Sequence, residues 1–224
     1  MIGIIGAMKD EVAILLDHLE ESYDSPERHG LYEFHSGKLS GVDVVICNCY
    51  PGKVNAATAT SIMINEYDVD FIINIGIAGT QYIDEFPIGS IVLGGSVKQY
   101  DVDTTAVGDP KNFISGCNKS IFYPEPNIVA TLRQKYKLKR VSVSTGDTFI
   151  DSEEVKDMIG TDVIDMESGA IAQVCYCLGY IPFLIIKCIS DSGNSEEYDK
   201  NKISCCQQVQ EFLIQALKDL HLYK

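Results

Sequence analysis

The sequence has no tryptophan and only three arginines, Arg28, Arg133 and Arg140, in 224 residues. Its 32 acidic residues outnumber the 18 lysines and arginines, so the formal net charge at pH 7 is −14. A protein that binds a nucleic-acid backbone normally presents a basic face. The short basic cluster from Lys135 to Arg140 is typical of a solvated helix end. We therefore expect no nucleic-acid partner, and we interpret the acidic surface as favouring solubility.

Long apolar runs are also missing, since no segment approaches the roughly 20 apolar residues that a membrane-spanning helix needs. The longest candidate, residues 181–186, contains a proline and has the length of a buried strand. The start of the chain lacks the basic leader and the long apolar region of a secretory signal. We therefore expect a cytoplasmic protein with no membrane partner.

Metal and cofactor motifs are absent as well. The sequence has eight cysteines but no Cys-x-x-Cys pair, and its four histidines keep no zinc-like spacing to them. Gly3-Ile-Ile-Gly6 is not the glycine fingerprint of dinucleotide-binding proteins, and no Walker sequence occurs. We therefore expect no metal and no cofactor, we disfavour a Rossmann oxidoreductase, and we interpret the cysteines as reduced thiols of the core.

Strand-like and helix-like segments alternate along the chain. The pattern predicts a single α/β domain over residues 1–224, with a central mixed, largely parallel β-sheet flanked by helices. Residues 31–47 are interpreted as a hairpin with Gly37 and Gly41 between its strands. The predicted strands are 2–5, 31–36, 42–47, 71–75, 90–97, 141–144, 163–164 and 183–189. The predicted helices are 9–19, 54–67, 128–137, 153–158, 168–178 and 207–220.

Several predicted strands end in sequences that are rich in glycine or acidic residues. In open α/β sheets, ligands bind beyond the carboxyl ends of the strands. We therefore expect these strand ends to meet at one site. They are Gly6-Ala-Met-Lys-Asp-Glu11, Gly76-Ile-Ala-Gly79, Asp165-Met-Glu167 and Ser190-Asp191.

Three carboxylates at these ends are catalytic candidates, and each has a simpler alternative. Glu11 could only complement a helix dipole, worth roughly 0.3–1 kcal/mol, and Asp10 competes with it for any role. Glu167 follows Asp165, which could cap the next helix, although a cap explains a second acid less readily. Asp191 ends the most apolar strand, where a raised pKa would suit a general acid. Its alternative is an Asx turn.

Six segments together resemble the 5′-methylthioadenosine/S-adenosylhomocysteine nucleosidases of the purine nucleoside phosphorylase superfamily. They occur in the family's order and span nearly the whole chain. They are Gly3-Ile-Ile-Gly-Ala-Met-Lys-Asp-Glu11, Gly52-Lys-Val-Asn-Ala-Ala57, Asn74-Ile-Gly-Ile-Ala-Gly79, Ser144-Thr-Gly-Asp-Thr-Phe-Ile150, Asp165-Met-Glu-Ser-Gly-Ala-Ile-Ala-Gln-Val-Cys175 and Ile189-Ser-Asp191. The resemblance implies a nucleoside phosphorylase-like three-layer sandwich. It also implies a homodimer, in which residues 98–116 help to complete a neighbouring site.

The activity that this resemblance implies is hydrolysis of the N-glycosidic bond of adenine nucleosides, with release of adenine. Glu11 would activate water, Asp191 would protonate N7 of the purine, and Glu167 would accept hydrogen bonds from the ribose hydroxyls. Phe149 would stack on adenine, and the backbone of Ile150 would bind the hydrogen-bonding edge of the base. The other implied substrate-binding residues are Met8, Ile77, Ala78, Gly79, Met166, Lys187, Ser190 and Tyr198.

Phosphorolysis is the main competing reaction. Phosphorylases of the superfamily place arginines around phosphate, in the first glycine loop and after the strand at Gly76. This sequence offers Glu11 and Ile77 in those regions, and a carboxylate repels a phosphate dianion, although Lys9 could bring one cation near. Hydrolysis is therefore favoured. The alternatives are a purine nucleoside phosphorylase and a nucleoside-binding protein that has lost turnover.

The sequence departs from the family pattern at three places. Lys187 stands where the family usually has an arginine, and lysine cannot make the same bidentate contacts. Ile77 is bulkier than the small polar residue that is common there. Residues 192–202 form a shorter loop than usual, which makes Tyr198 the candidate for the aromatic lid. These departures leave the preferred 5′ substituent open.

Overall fold

The computed structural model describes residues 1–21, 25–152 and 159–220, in which nine strands form one mixed sheet. The strands are β1 (Ile2–Gly6), β2 (Glu27–His29), β3 (Tyr32–Leu39), β4 (Val42–Asn48), β5 (Phe71–Thr80), β6 (Ile91–Gln99), β7 (Lys139–Thr145), β8 (Val163–Asp165) and β9 (Phe183–Asp191). The α-helices of these residues are α1 (Ala13–Asp17), α2 (Lys53–Glu66), α3 (Pro126–Tyr136), α4 (Ser168–Cys177) and α5 (Ser195–Leu220). Short 3-10 helices cover Lys9–Glu11 and Thr105–Val107. The predicted α/β class is confirmed.

Part of the sheet closes on itself. The strand order is β2-β3-β4-β1-β5-β8-β7-β6-β9, and β9 also pairs with β5. Strands β5, β8, β7, β6 and β9 therefore form a ring, and β1, β4, β3 and β2 extend from it. Because β1 is parallel to β4 and β5, and β5 is parallel to β9, the carboxyl ends of these four strands lie at one edge. The prediction of a mixed, largely parallel sheet is confirmed.

Apolar side chains fill both faces of the sheet. Every residue of β1 and β9 is buried, which explains why apolar residues follow one another in these strands instead of alternating with polar ones; the polar residues of β9 are Lys187, Ser190 and Asp191. One core lies under α2 and α4 and includes Met63, Ile72 and Ile171. The other lies under α1, α3 and α5 and includes Leu15 and Leu213. Helices on both faces of the sheet give the three layers that the resemblance implied.

The predicted helix over residues 9–19 is wrong, because the chain forms a 3-10 turn followed by the short helix α1. The carboxylate of Glu11 accepts hydrogen bonds from the backbone N–H groups of Ala7 (2.6 Å) and Met8 (2.9 Å), so it turns back over the preceding loop. Val12, with φ of −125°, separates the two helical pieces. The regular helix is thus interrupted where Glu11 points inward.

The last helix starts at Ser195 and not within the predicted range 207–220. The side-chain oxygen of Asn194 accepts hydrogen bonds from the N–H groups of Glu196 (2.9 Å) and Glu197 (3.3 Å). An asparagine in this position is a strong N-cap, and it fixes the first turn of α5. The sequence Asn194-Ser-Glu-Glu197 carries this signal, which the hydrophobic periodicity alone did not reveal.

Three further predictions need correction or lie outside the described residues. Only residues 192–194 of the predicted loop 192–202 lie outside a helix, because α5 begins at Ser195, so Tyr198 lies on helix α5. Gly37 lies inside β3, and the hairpin turn is at Ser40 and Gly41. The short edge strand β2 was not predicted. The predicted helix at 153–158 lies outside the described residues.

The eight cysteines are free thiols, and all except Cys177 are buried. Within residues 1–21, 25–152 and 159–220, no group of three or more His, Cys, Asp or Glu side chains could hold a metal ion. In the same part of the chain, no helix is both long and apolar enough to cross a membrane.

Candidate active site

A pocket of about 680 Å³, including its open mouth, lies at the carboxyl ends of β1, β4, β5, β7, β8 and β9. Its wall contains every site residue predicted from the sequence except Lys187. These wall residues are Met8, Glu11, Ile77, Ala78, Gly79, Phe149, Ile150, Met166, Glu167, Ser190, Asp191 and Tyr198. The wall also contains Ala7, Pro51, Thr80, Thr148, Ile164, Asp165 and Gly193, to which the sequence analysis gave no role in binding.

Glu11 is buried at the inner end of the pocket. Its Oε2 accepts the two backbone hydrogen bonds already described, and its Oε1 accepts a third from the N–H of Ile77 (2.9 Å). Burial raises the pKa of Glu11, while Lys187 and the three N–H groups partly offset this rise. Asp10, the competing acid, is exposed. Glu11 is therefore the fixed, desolvated carboxylate of this loop, in a position to accept a proton.

Glu167 lies directly before α4 and is also buried. Its Oε1 accepts a hydrogen bond from the backbone N–H of Gly52 (3.0 Å), which precedes the first residue of α2. Burial raises the pKa of Glu167 to about 7; Lys187 opposes this rise, and Asp165 and Glu11 add to it. A group with this pKa changes its charge easily near neutral pH.

Lys187 does not line the pocket. It is buried behind the wall, with its Nζ 3.0 Å from Oδ2 of Asp165. Burial lowers the pKa of Lys187, but Asp165, Glu167 and Glu11 together outweigh this effect, so the pKa is raised and the lysine is protonated. The structure thus places a cation beside three carboxylates instead of at the surface that a substrate would touch.

Asp165 is held by a buried polar network. The hydroxyl of Thr145 donates to its Oδ1 (2.5 Å), and the backbone N–H of Ser168 donates to its Oδ2 (3.2 Å). The Ser168 hydroxyl contacts both Asp165 and the side-chain oxygen of Asn74, and the Asn74 amide donates to the carbonyl of Ile5 (3.1 Å). Glu167 occupies the N-cap position of α4, and Asp165, two residues earlier, accepts the N–H of the first helical residue. Asp165 is also the partner of the buried lysine.

Asp191 is the last residue of β9 and lines the pocket. The hydroxyl of Ser190 donates to its Oδ2 (2.7 Å), and the N–H of Gly193 donates to its Oδ1 (2.7 Å). The second bond is the Asx turn that stood as the alternative to a catalytic role. Since Asp191 also lines the pocket, its part in the turn and a part in catalysis are compatible.

Two glycines allow the carboxylates to approach the backbone of β5. A Cβ atom at Gly76 would lie 2.9 Å from Cδ of Glu11, and one at Gly79 would lie 2.9 Å from Oδ1 of Asp191. Real Cβ atoms do not approach so closely, so a side chain at either position would displace its carboxylate. This explains Gly76-Ile-Ala-Gly79 better than a tight turn does, because the segment is part of a strand.

Aromatic and thioether groups form the mouth of the pocket. The rings of Phe149 and Tyr198 meet edge to face, with centroids 5.2 Å apart. The Tyr198 hydroxyl lies 3.2 Å from the sulfur of Met8. Phe149 is 44% exposed, so one side of an apolar ring faces open space beside the pocket. Such a ring can stack on a planar heterocycle.

This chain is similar in sequence to known enzymes over nearly its whole length. The family model described as Phosphorylase superfamily matches residues 1–221. The 5′-methylthioadenosine/S-adenosylhomocysteine nucleosidase of Shewanella halifaxensis is 35% identical over 235 residues, covering 98% of this chain and 99% of the relative. The nucleosidase of Colwellia psychrerythraea with the same name is 36% identical over 210 residues, covering 87% of this chain and 84% of the relative.

Solved structures show the same similarity. The structure of the Colwellia psychrerythraea nucleosidase in complex with adenine has a TM-score of 0.89 at 32% identity, covering 97% of this chain and 94% of the other. The nucleosidase of Streptococcus pneumoniae, solved with the transition-state inhibitor MT-ImmA, has a TM-score of 0.90 at 27% identity, covering 98% and 99%.

Proposed function

Because this chain belongs to the phosphorylase superfamily and, within it, to the 5′-methylthioadenosine/S-adenosylhomocysteine nucleosidases, we propose that it hydrolyses the N-glycosidic bond of adenine nucleosides. The proposed substrates are 5′-methylthioadenosine and S-adenosylhomocysteine. The products are adenine and the corresponding ribose derivative. The observation that carries this proposal is the meeting of Glu11, Glu167 and Asp191 in one pocket, with no arginine among the described residues of its wall.

The charge of the wall favours water over phosphate as the nucleophile. Four acidic residues line the pocket, namely Glu11, Asp165, Glu167 and Asp191. Lys187 is already paired with Asp165, and Lys9 is exposed and does not line the pocket. Two unit charges 4 Å apart interact by about 4 kcal/mol at an effective dielectric constant of 20. A phosphate dianion would therefore be repelled, whereas a neutral water would be bound.

The proposed reaction breaks the bond between C1′ of ribose and N9 of adenine. The bonding electrons leave with the purine, and Asp191 transfers its proton to N7, so that adenine departs neutral. Water attacks C1′ and gives a proton to Glu11. Transfer of that proton through solvent to Asp191 then restores both residues to their starting charge. This is the pairing of a general acid with a general base that glycoside hydrolysis uses.

Glu167 is proposed to bind the ribose hydroxyls. As the C1′–N9 bond breaks, positive charge develops on the sugar, and an ionised carboxylate nearby stabilises that charge. The pKa of about 7 would allow Glu167 to be ionised once a substrate donates hydrogen bonds to it. Phe149 and the Ile150 backbone are proposed to bind adenine. Met8 and Met166 are proposed to line the sugar pocket, and Tyr198 to cover the 5′ substituent.

The test of the hydrolase proposal measures adenine release from 5′-methylthioadenosine with and without phosphate. We expect release in phosphate-free buffer, a free methylthioribose product, and no acceleration when phosphate is added. Glu11→Gln should lower kcat by about 10²–10⁴-fold, because the amide keeps the size of the carboxylate but takes no proton. Asp10→Asn is the matched control and should retain the rate, since Asp10 is exposed.

Strict dependence on phosphate, with a ribose-1-phosphate product, would favour the phosphorylase alternative. A folded wild-type protein that binds nucleosides but releases no adenine would favour the binding protein that has lost turnover. If Glu11→Gln lowered the melting temperature without lowering the rate, Glu11 would have only the structural role of fixing its loop.

A second prediction concerns the proton donor. Asp191→Asn should lower kcat/KM for adenine nucleosides by about 10²–10⁴-fold, because an amide cannot protonate N7. Binding of a non-hydrolysable nucleoside analogue, measured by calorimetry, should change little, since the amide oxygen can still accept the N–H of Gly193 and the amide NH2 can donate to the hydroxyl of Ser190. Asp199→Asn, on the exposed side of α5, is the control. Near-wild-type turnover by Asp191→Asn would exclude Asp191 as the donor.

We also propose that the chain forms a homodimer. Val107, in the segment 98–116, is 82% exposed, and Leu31 and Val54 are each 75% exposed; Val54 is three residues from Pro51, which lines the pocket. A second copy that covered these side chains would remove apolar surface from water. Light scattering should give twice the chain mass of 24.7 kDa, and Val107→Glu should shift the protein towards monomer. A wild-type monomer would refute the proposal, and a trimer or hexamer would point to the phosphorylases.

A further inference from the structure

Two of the recognised sequence segments, Gly52-Lys53 and Gly146-Asp147, meet at the rim of the pocket. We propose that Lys53 and Asp147, together with Asp101, form a clamp that positions the purine-binding loop against Glu167. None of the three clamp residues lines the pocket, so they are positioning residues and not catalytic ones. The inference rests on the proposed function for the identity of the ligand, but the clamp itself is defined by contacts within the chain.

The clamp is a closed circuit of three contacts. The Nζ of Lys53 lies 2.6 Å from Oδ1 of Asp101. The other oxygen of Asp101 accepts the backbone N–H of Asp147 (3.0 Å), and Oδ1 of Asp147 accepts the backbone N–H of Lys53 (2.7 Å). Each residue thus holds the other two, and the circuit joins the segment after β6, the loop after β7 and the start of α2.

The start of α2 connects the clamp to Glu167. Two consecutive N–H groups at this helix N-terminus bind two different carboxylates: Gly52 donates to Glu167, and Lys53 donates to Asp147. A helix N-terminus favours negative charge, so both carboxylates gain from the same dipole. Gly52 has φ of +102°, and a Cβ there would lie 3.2 Å from the carboxylate of Asp147. Glycine at this position therefore suits both the left-handed backbone and the close approach of Asp147.

The loop after β7 connects the clamp to the base. Asp147 is two residues from Phe149 and three from Ile150, both of which line the pocket. The hydroxyl of Tyr100, next to Asp101, donates to the carbonyl of Thr148 (3.4 Å). If the clamp opened, the loop would lose its link to α2, and the surfaces proposed to bind adenine and ribose would no longer be fixed relative to each other.

The side chains of the clamp can be replaced without changing the hydrophobic core. The side chains of Lys53 and Asp101 are 18% and 28% exposed, and neither belongs to the hydrophobic clusters. The test therefore compares Lys53→Met, Asp101→Asn and the double variant with wild type. Lys53→Arg serves as the conservative variant. Lys139→Met removes a lysine that pairs with Glu85 away from the pocket, and it is the matched control.

Hydrogen–deuterium exchange tests the positioning directly. In Lys53→Met and Asp101→Asn, amides of residues 146–150 should exchange faster, while β1, β5 and β9 stay protected. The KM for 5′-methylthioadenosine and the dissociation constant of adenine should rise about tenfold, with a smaller change in kcat, because the loop is misplaced while the reacting carboxylates remain. The double variant should be no worse than the worse single variant. Lys53→Arg should restore most of the binding.

Unchanged exchange of residues 146–150 in folded Lys53→Met would overturn the clamp. Equal loss of binding in Lys139→Met would overturn it as well, because a general charge effect would then suffice. Failure of the proposed function would give a different result. Wild type would then release no adenine, while the hydrogen exchange of residues 146–150 would still depend on Lys53. In that case the clamp anchors the loop, and the ligand assigned to the loop is wrong.

Discussion

One buried cation, Lys187, balances the negative charge beneath the pocket, and the rest of the site depends on it. Its partner Asp165 caps α4, and Glu167 is the last residue before that helix. Burying one unpaired charge costs several kcal/mol, so neither member of the pair can be removed alone at low cost. Because Lys187 also acts on Glu11 and Glu167, it opposes the effect of burial, which raises the pKa of both carboxyl groups.

The closed part of the sheet brings the charged groups together. Parallel pairing of β5 with β9 places Gly79 opposite Asp191, and β5 also lies beside β1, which leads into the Glu11 loop. Glu11 and Glu167 each accept a hydrogen bond from a distant part of the chain, from Ile77 and Gly52 respectively. Gly76 and Gly79 have no side chain, so the carboxylates of Glu11 and Asp191 can lie against the backbone of β5. The sheet topology thus determines which carboxylates meet, because they come together at the carboxyl ends of neighbouring strands.

Much of this architecture could be predicted from local patterns, because continuous apolar runs indicate strands that are buried on both faces. Glu11, Glu167 and Asp191 come shortly after or at the ends of those predicted strands, so their meeting at one edge of the sheet could be predicted. The inward turn of Glu11 could be predicted only in part, since one carboxylate oxygen binds the local N–H groups of Ala7 and Met8 but the other binds the N–H of Ile77, 66 residues away. Lys187 lies behind the pocket wall because it pairs with Asp165, and the sequence around Lys187 does not reveal this distant partner. The contact of Asp101 with Lys53 also joins residues far apart in the sequence. The Asn194 cap is different, because the sequence Asn194-Ser-Glu-Glu197 is itself a helix-start signal.

The measurement that tests this account most directly is the pH dependence of kcat/KM for Lys187→Met and Lys187→Arg. Removing the cation removes an influence that lowers the pKa of Glu11 and Glu167, so the acidic limb of the profile should move up by about 1–3 pH units in Lys187→Met. Lys187→Arg keeps the charge and should keep the limb in place. If Lys187→Met fails to fold, the double variant Lys187→Met/Asp165→Asn removes the unpaired charge. Its acidic limb should move in the same direction through Glu11, but the shift of Glu167 should be smaller, because Asp165 no longer raises the pKa of Glu167. An unchanged acidic limb in a folded variant without the cation would contradict the account.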